Sequence, residues 1–272
     1  MWERGLYRAR NAAMIERTAV APRRSLLSAE ARCSTLTDDD ALSAWIQPQH
    51  LEPAALAGYR AAFESHPARM TVIRDLLRED VADRLSRFLR NEAEYRTEYG
   101  IYSVEGAVPE ERYAAAEESD RFFRLDRLAG IPPQHRMSMN ALTYLKLREA
   151  FQQPAFESFF QELTGLALGA SDDFGVHSMR VGDYLRPHAD DNKDRALALV
   201  MYLAPDWSPS FGGSLHLIHP GGGETCVDAD YNSTVVFDVL AGTSHFVAPV
   251  EPSSGDAARV TIGGWYHRRD RG

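Results

Sequence analysis

Residues 234–248 read Thr-Val-Val-Phe-Asp-Val-Leu-Ala-Gly-Thr-Ser-His-Phe-Val-Ala, two β-rich runs joined by a short turn. Branched and aromatic residues at 234–239 and 245–248 are typical of strands, and the residues between them at 241–244 are typical of a tight turn. Similar short runs lie on either side, at 175–185, 196–203, 214–218, 224–227 and 259–266. Short strands at this spacing predict a sandwich or jelly roll, not a parallel βαβ sheet.

The half of the chain before residue 174 has a different pattern. Apolar residues at helical spacing predict helices, the last of them closed by Gly165; they cover residues 41–45, 53–65, 79–89, 139–151 and 154–163. Residues 95–104 are predicted to be extended. The charged stretch 105–133, interrupted by Gly and Pro, is interpreted as a mobile connection with a short helix near 114–120.

Together these patterns predict an α+β fold, with a sandwich or jelly-roll core and N-terminal supporting helices. We expect residues 1–40 to be an N-terminal extension and residues 41–272 to be a single domain. Within it, 41–170 would supply helical support and substrate loops, and 171–272 would form the jelly-roll core. Gly221–Gly223 lies between two predicted strands and is expected to be a hairpin turn, because no Gly-rich loop here leads from a strand into a helix.

The composition of the chain disfavours several kinds of binding partner. The chain has 272 residues, 44% hydrophobic and 25% charged, as in ordinary globular proteins, and its net charge of −9 disfavours nucleic acid as a partner. No apolar run approaches the roughly 18 residues that cross a bilayer, so we expect no membrane partner. The two cysteines, Cys33 and Cys226, have no metal-site or disulfide spacing, which favours the reducing cytoplasm. The residues leave the oligomeric state open.

His188, Asp190 and His245 are the candidate metal ligands. His188 and Asp190 lie two residues apart, which places both side chains on one face of a strand. Two imidazoles and one carboxylate form the facial triad of non-haem Fe(II) oxygenases, which leaves three positions open for an oxidant and a cosubstrate. Zinc accepts the same three ligand types and remains an alternative.

Arg259 distinguishes between these possibilities. It stands in Arg-Val-Thr-Ile-Gly-Gly-Trp-Tyr-His, residues 259–267, a strand that is otherwise apolar at its start. A buried charge is costly unless it is paired, so an anion should meet it. The planar guanidinium fits a carboxylate bidentately, and the distal carboxylate of 2-oxoglutarate is a natural ligand beside such an iron. Thr261 faces the same way and can add a hydroxyl.

These residues belong to a longer ordered set of motifs. It includes Gly-Asp-Tyr-Leu-Arg-Pro-His-Ala-Asp-Asp at 182–191, Gly-Gly-Ser-Leu-His-Leu at 212–217, Ser-His-Phe-Val-Ala-Pro-Val at 244–250 and the 259–267 strand. Over residues 176–267 the chain resembles the 2-oxoglutarate- and Fe(II)-dependent dioxygenases of the prolyl hydroxylase type. Within that group it is most similar to the branch of ribosomal prolyl 3-hydroxylases and small bacterial relatives.

The resemblance implies that the jelly-roll core is a double-stranded β-helix. It also implies Fe(II) on His188, Asp190 and His245, with 2-oxoglutarate held by Arg259, Thr261 and Tyr202. The implied reaction uses O2 to hydroxylate an unactivated C–H bond and releases succinate and CO2. The substrate would be amino-acid-like, prolyl or peptidyl, or a natural-product intermediate. Many members have a tyrosine where Met179 stands here, three residues before Gly182, which leaves prolyl specificity open.

His177, Arg180 and Trp265 are the candidate substrate contacts. Two other functions compete with a dioxygenase: a non-catalytic, metal-stabilised jelly-roll binding module, and a zinc cupin-like isomerase or hydrolase. A barrel-interior guanidinium favours the dioxygenase over the binding module, because a scaffold does not need it. Turnover without dioxygen would favour the zinc enzyme.

Overall fold

The computed structural model describes residues 38–170, 172–190 and 194–269. The α-helices of this part lie before the main run of strands. They are α1 (Asp38–Ser43), α2 (Pro53–Ser65), α3 (Glu79–Arg87), α4 (Glu110–Ala115), α5 (Met139–Ala150) and α6 (Pro154–Thr164). A π-helical turn, Phe88–Glu92, continues α3. The predicted helices at 53–65, 79–89, 139–151 and 154–163 are confirmed to within a few residues.

The strands of the described residues form one antiparallel sheet. They are β1 (Met70–Ile73), β2 (Glu94–Ile101), β3 (Ala107–Val108), β4 (Arg121–Gly130), β5 (Leu168–Gly169), β6 (Phe174–Met179), β7 (Tyr184–His188), β8 (Arg195–Tyr202), β9 (Leu215–Ile218), β10 (Glu224–Val227), β11 (Thr234–Asp238), β12 (Ser244–Val247) and β13 (Arg259–Arg268).

Neighbouring strands in this sheet are distant in sequence. Their order is β1-β11-β8-β13-β6-β4-β7-β12-β9-β10, with β2 paired to β4, β3 to β2 and β5 to β13. The sheet curls around a cavity that side chains of β4, β6, β7, β8, β9, β11, β12 and β13 line. This is the predicted α+β jelly roll with supporting helices, and the predicted hairpin at Gly221–Gly223 joins β9 to β10.

The helices cover the outer face of the sheet. Val81, Leu85, Phe88 and Leu89 fall on one side of α3 and its π turn, and all four are buried in the cluster that also holds outward-facing side chains of β8 and β13. Burying a large apolar side chain contributes about 1.5–3 kcal/mol relative to leaving it exposed. A helix with this apolar spacing is therefore held chiefly by packing on the sheet.

The interpretation of residues 105–133 as a mobile connection is wrong. This stretch contains β3, α4 and the ten-residue strand β4, which pairs with β2, β6 and β7. Phe123 and Leu125 alternate with charged residues, so the strand buries one face while Arg and Asp occupy the other. The high charge of this run conceals the period-two pattern that a half-buried strand requires.

Two further details concern the chain path. The predicted strand 175–185 is divided into β6 and β7 by a turn at Gly182, whose φ of +81° favours glycine. The N-terminal extension predicted for residues 1–40 falls, up to residue 37, outside the described residues and stays a prediction. In the described part of the chain, every helix is too short or too polar to cross a membrane.

Candidate functional site

Two histidines face each other across neighbouring strands inside the curled sheet. His188 ends β7 and is paired in register with His245 of β12, and their ring centroids are 4.2 Å apart. The carboxylate of Asp190 approaches both, with Oδ1 3.6 Å from His188 Nε2 and Oδ2 3.5 Å from His245 Nε2. One ligand atom from each of the three residues lies within 4.8 Å of the others. The structure thus brings together the three predicted ligands.

The surroundings of the two imidazoles suit a metal. His188 Nδ1 lies 3.0 Å from the carbonyl oxygen of Arg186, which can only accept, so Nδ1 is the donor and Nε2 is the atom that faces Asp190. Burial, with His188 nearby, lowers the pKa of His245 and so favours the neutral ring that a metal ligand needs. Two imidazole nitrogens and one carboxylate fit a divalent ion such as Fe(II).

Arg259 lies on the cavity side of β13. Its neighbours in the strand, Val260 and Ile262, point outward into the helix-covered core, whereas Arg259 and Thr261 line the cavity. The side chain is only 3% exposed, and within the described residues no carboxylate lies within 4 Å of its guanidinium. Burial lowers the pKa of Arg259 below its ordinary value. A buried cation without a carboxylate is unfavourable on its own, so the site is suited to an anionic ligand.

The contacts that Arg259 does make are weak ones. Nη1 donates to the sulfur of Met179 at 3.5 Å, the guanidinium carbon lies 4.9 Å from the ring centroid of Tyr202, and Nε has no acceptor among the described residues. The buried Tyr202 hydroxyl neighbours this guanidinium, which can only donate, so within the same residues its O–H also lacks an acceptor. Two buried donors that lie side by side and lack acceptors are what a bound carboxylate would satisfy.

Tyr202, Thr261 and His177 form a row across three strands. Thr261 is paired in register with Tyr202 of β8 on one side and with His177 of β6 on the other. Burial, with Arg127 and Arg259 nearby, lowers the pKa of His177 to about 3. His177 therefore offers a neutral imidazole to whatever occupies the cavity, and its predicted place near a substrate agrees with its position in the lining.

The cavity has a volume of about 750 Å³ and contains the three candidate ligands together with Arg259. An aromatic wall leads into it from the surface. Tyr102 is half exposed and stacks on Phe122 at 4.8 Å, and Phe122 meets the ring of His188 edge-on at 5.3 Å. A cavity of this size holds a small organic molecule, and its mostly apolar wall suits an aliphatic or ring-shaped group.

Arg180 does not join this lining, which argues against its predicted contact with a substrate. β6 ends at Met179, so the alternation of the strand stops there and Arg180 enters the turn that leads to Gly182. Its side chain is exposed and donates to the carbonyl oxygen of Asp256 at 3.2 Å. Trp265 does line the cavity, and its indole nitrogen donates to Asp190 Oδ2 at 2.9 Å.

Tyr102, Arg127 and Arg195 are among the cavity residues that reasoning from the sequence did not identify. Arg127 continues the period-two series of Phe123 and Leu125 on β4, and that alternation could have identified it. Arg195 begins the apolar strand β8 as Arg259 begins β13, so the argument that identified Arg259 applies to it as well.

Comparisons with known proteins agree with this geometry. Residues 174–267 match the family model described as the 2OG-Fe(II) oxygenase superfamily. A curated relative, prolyl 3-hydroxylase OGFOD1 of Xenopus laevis, is 31% identical over 128 residues, which are 44% of this chain and 25% of that protein. The chain thus aligns with only about a quarter of that relative's length.

Solved structures share the fold. A prolyl-4-hydroxylase of Pseudomonas putida superposes with a TM-score of 0.50 at 20% identity, covering 79% of this chain and 99% of that one. A prolyl hydroxylase of Trichoplax adhaerens, in complex with a hypoxia-inducible-factor peptide fragment, gives a TM-score of 0.53 at 14% identity over 80% and 92% of the two chains. In its jelly roll, its His-Asp-His cluster and its match over residues 174–267, the chain is similar to the 2OG-Fe(II) oxygenase superfamily.

Proposed function

We propose that this protein is a 2-oxoglutarate-dependent, non-haem iron dioxygenase that hydroxylates an unactivated C–H bond and releases succinate and CO2. The observation that carries the proposal is the position of Arg259. A buried guanidinium without a carboxylate partner lines the same cavity as His188, Asp190 and His245. A metal-stabilised binding module has no use for such a cation, whereas a carboxylate cosubstrate beside the metal requires it.

In this proposal His188, Asp190 and His245 hold Fe(II), the ion that the family uses together with 2-oxoglutarate and O2. When bound, the iron supplies the oxidising chemistry that protein side chains lack. The protein's own contribution is placement. Arg259 binds the distal carboxylate of 2-oxoglutarate through two parallel N–H bonds, and the Tyr202 hydroxyl donates to the same carboxylate.

Thr261 and His177 extend this polar row toward the rest of the cavity. Thr261 offers a hydroxyl to the cosubstrate, and His177, being neutral, offers one donor and one acceptor to the substrate. The site has an apolar wall formed by Phe123, Leu125 and Val247. Such a wall excludes water from the reacting groups and holds the substrate in one orientation.

We further propose that the substrate is amino-acid-like, prolyl or peptidyl, or a small natural product. The named relatives that are prolyl hydroxylases support the first two classes, and the Tyr102–Phe122 wall is suited to an aliphatic ring. In the family that the chain resembles, many members have a tyrosine where Met179 stands, so we do not restrict the proposal to prolyl substrates. As the location we propose the cytoplasm, a choice supported by the free thiol of the exposed Cys226.

A succinate-release screen tests this function. The Fe(II)-loaded protein is incubated with 2-oxoglutarate and O2 in the presence of free amino acids, prolyl peptides and small metabolites, and succinate is quantified. We expect one substrate class to raise succinate formation well above the rate without substrate, and only when Fe(II) and O2 are both present. Turnover with zinc alone, or without O2, would contradict the proposal.

A further inference from the structure

Trp265 and Arg195 lie against the candidate metal ligand Asp190 from the side away from the two histidine strands. Trp265 Nε1 donates to Asp190 Oδ2 at 2.9 Å, and Arg195 Nη1 lies 3.6 Å from Asp190 Oδ1. The two side chains also contact each other, with the guanidinium carbon of Arg195 3.3 Å from the ring centroid of Trp265. Asp190, Trp265 and Arg195 therefore form one connected group.

A second carboxylate holds Arg195 in this place. Arg195 Nη2 and Nε donate to Asp173 Oδ2 at 2.7 and 3.0 Å, so the plane of the guanidinium is fixed by two hydrogen bonds. Its face then covers the indole of Trp265, which is the geometry of a cation–π contact. The indole is in turn held with its N–H aimed at Asp190.

From this arrangement we propose that Trp265 and Arg195 are positioning residues that make Asp190 a one-oxygen metal ligand. The indole N–H donates to Oδ2 at 2.9 Å, whereas Arg195 Nη1, 3.6 Å from Oδ1, is beyond hydrogen-bond distance, so Oδ1 is the oxygen left for the metal. Arg195 offsets part of the carboxylate's charge and keeps the indole in place. This inference rests on the proposed function, and it assigns to Trp265 a role toward the metal ligand instead of the predicted contact with a substrate.

The proposal explains why a largely buried cation, Arg195, and the indole N–H of Trp265 lie beside Asp190. Arg195 is a cation that begins an apolar strand and is only 20% exposed at its side chain, and it meets Asp173 and Asp190 together. Trp265 lies on the cavity face of β13, where an apolar ring alone would fill space equally well, yet its one donor has an acceptor at 2.9 Å. Groups that orient metal ligands in this way tune the affinity of the site for its metal.

Cobalt binding tests the proposal without any turnover. Co(II) is titrated into the wild type and into Trp265→Phe, which keeps an aromatic ring but removes the N–H donor, and binding is followed by calorimetry and by the visible d–d bands. We expect Trp265→Phe to bind Co(II) about 10- to 100-fold more weakly, the range seen when such outer partners are removed. The d–d band intensity should also change, because Oδ2 becomes free to join the metal. Thermal melts establish that the variant is folded.

Trp207→Phe is the matched control. The indole of Trp207 donates to the carbonyl oxygen of Gly212 at 3.2 Å and does not line the cavity. We expect this variant to bind Co(II) within twofold of the wild type, with an unchanged spectrum. Arg195→Met should weaken Co(II) binding as well, and Arg195→Lys should recover part of the loss.

The double variant Trp265→Phe/Arg195→Met should lose less than the product of the two single effects, because both act through one carboxylate. Wild-type affinity and spectrum in a folded Trp265→Phe would overturn the positioning role while leaving the proposed function intact. If Trp265→Phe does not fold, wild-type Co(II) binding by Arg195→Met would overturn it in the same way. Failure of the wild type itself to bind Co(II) would overturn the proposed function and this inference together.

Discussion

Strands β8 and β13 bury side chains on both faces of the sheet, but the buried tyrosine hydroxyls on the two faces differ in their hydrogen bonding. On the outer face, Tyr266 is fully buried against the helices and its hydroxyl donates to the carbonyl oxygen of Phe151 at 2.9 Å. On the inner face, Tyr202 is 1% exposed, and among the described residues its O–H has no acceptor. The same holds for Nε of Arg259 beside it.

This difference separates groups that stabilise the fold from groups that are available to a ligand. Buried polar atoms are nearly always hydrogen-bonded, and an unpaired one costs about 1–3 kcal/mol. The outer face follows this rule within the protein. On the inner face, Trp265 and Arg195 also follow it within the protein, but the Tyr202 hydroxyl and Arg259 Nε find acceptors only when a ligand enters the cavity. Substitutions of Tyr202 or Arg259 and of Tyr266 should therefore change different measurements.

The largest expected effect comes from Asp190→Gly on the inner side. This change removes the one anionic member of the candidate triad and opens a further position on the metal. We expect weaker metal binding and a fall in coupled succinate formation of at least about 10²-fold, because a lost ligand displaces both the oxidant and the cosubstrate. Asp228→Gly, at an exposed aspartate that follows β10, is the control and should behave as the wild type. Full activity in Asp190→Gly would mean that another residue completes the site.

Arg259→Leu should weaken 2-oxoglutarate binding without lowering the free energy of unfolding. We expect 2-oxoglutarate to bind more weakly by about 2–4 kcal/mol, or roughly 30- to 1,000-fold, because two charge-assisted hydrogen bonds are lost. The free energy of unfolding should stay the same or rise, since a buried cation without a carboxylate partner is replaced by an apolar side chain. Calorimetric titration and urea unfolding measure the two quantities, and an unchanged affinity for 2-oxoglutarate would remove Arg259 from the site.

Tyr266→Phe on the outer face should show the reverse pattern. Deleting this hydroxyl leaves the Phe151 carbonyl without its donor, so we expect the free energy of unfolding to fall by about 1–3 kcal/mol. The affinity for 2-oxoglutarate should remain within twofold of the wild type. A change in that affinity with no loss of stability would show that the two faces are not separate in the way we describe.

Tyr202→Phe is the same chemical change on the inner face and should have the smallest effect. One neutral donor is lost, which should weaken 2-oxoglutarate binding by about 0.5–1.5 kcal/mol. Because the O–H has no acceptor among the described residues, stability should fall less than in Tyr266→Phe. The pair of tyrosine variants is therefore an internal control: a stability loss in Tyr202→Phe equal to that in Tyr266→Phe would contradict the account.

The sequence predicted strands β8, β11 and β13, which line the cavity, better than it predicted β4, which lines the same cavity. The runs at 196–203, 234–239 and 259–266 are rich in branched apolar residues, and each became a strand within one or two residues of its predicted ends. β4 was missed because three arginines and an aspartate interrupt its apolar face. β4 is a strand because its backbone pairs with β2, β6 and β7. These partners are distant in sequence, so the local composition of β4 does not indicate them.

The residues of the candidate site also differ in whether the sequence could predict them. His188, Asp190, His245 and Arg259 could be predicted because their residue types imply a chemistry wherever strands bring them together. Tyr102 and Arg195 could not, because an aromatic residue or an arginine has many ordinary places, and only the tertiary arrangement shows that these lie at the cavity. Arg180 lies outside the cavity lining because the predicted strand 175–185 is interrupted after Met179 by a turn that the sequence did not predict.

The most direct measurement of the central claim is the spectrum of the anaerobic protein with Fe(II) and 2-oxoglutarate. The account predicts one iron per chain and a weak visible charge-transfer band, which appears on addition of 2-oxoglutarate and saturates at one equivalent. In Arg259→Leu the same band should require a roughly 30- to 1,000-fold higher concentration of 2-oxoglutarate. An iron-loaded wild type that gives no band and binds no 2-oxoglutarate would contradict the account.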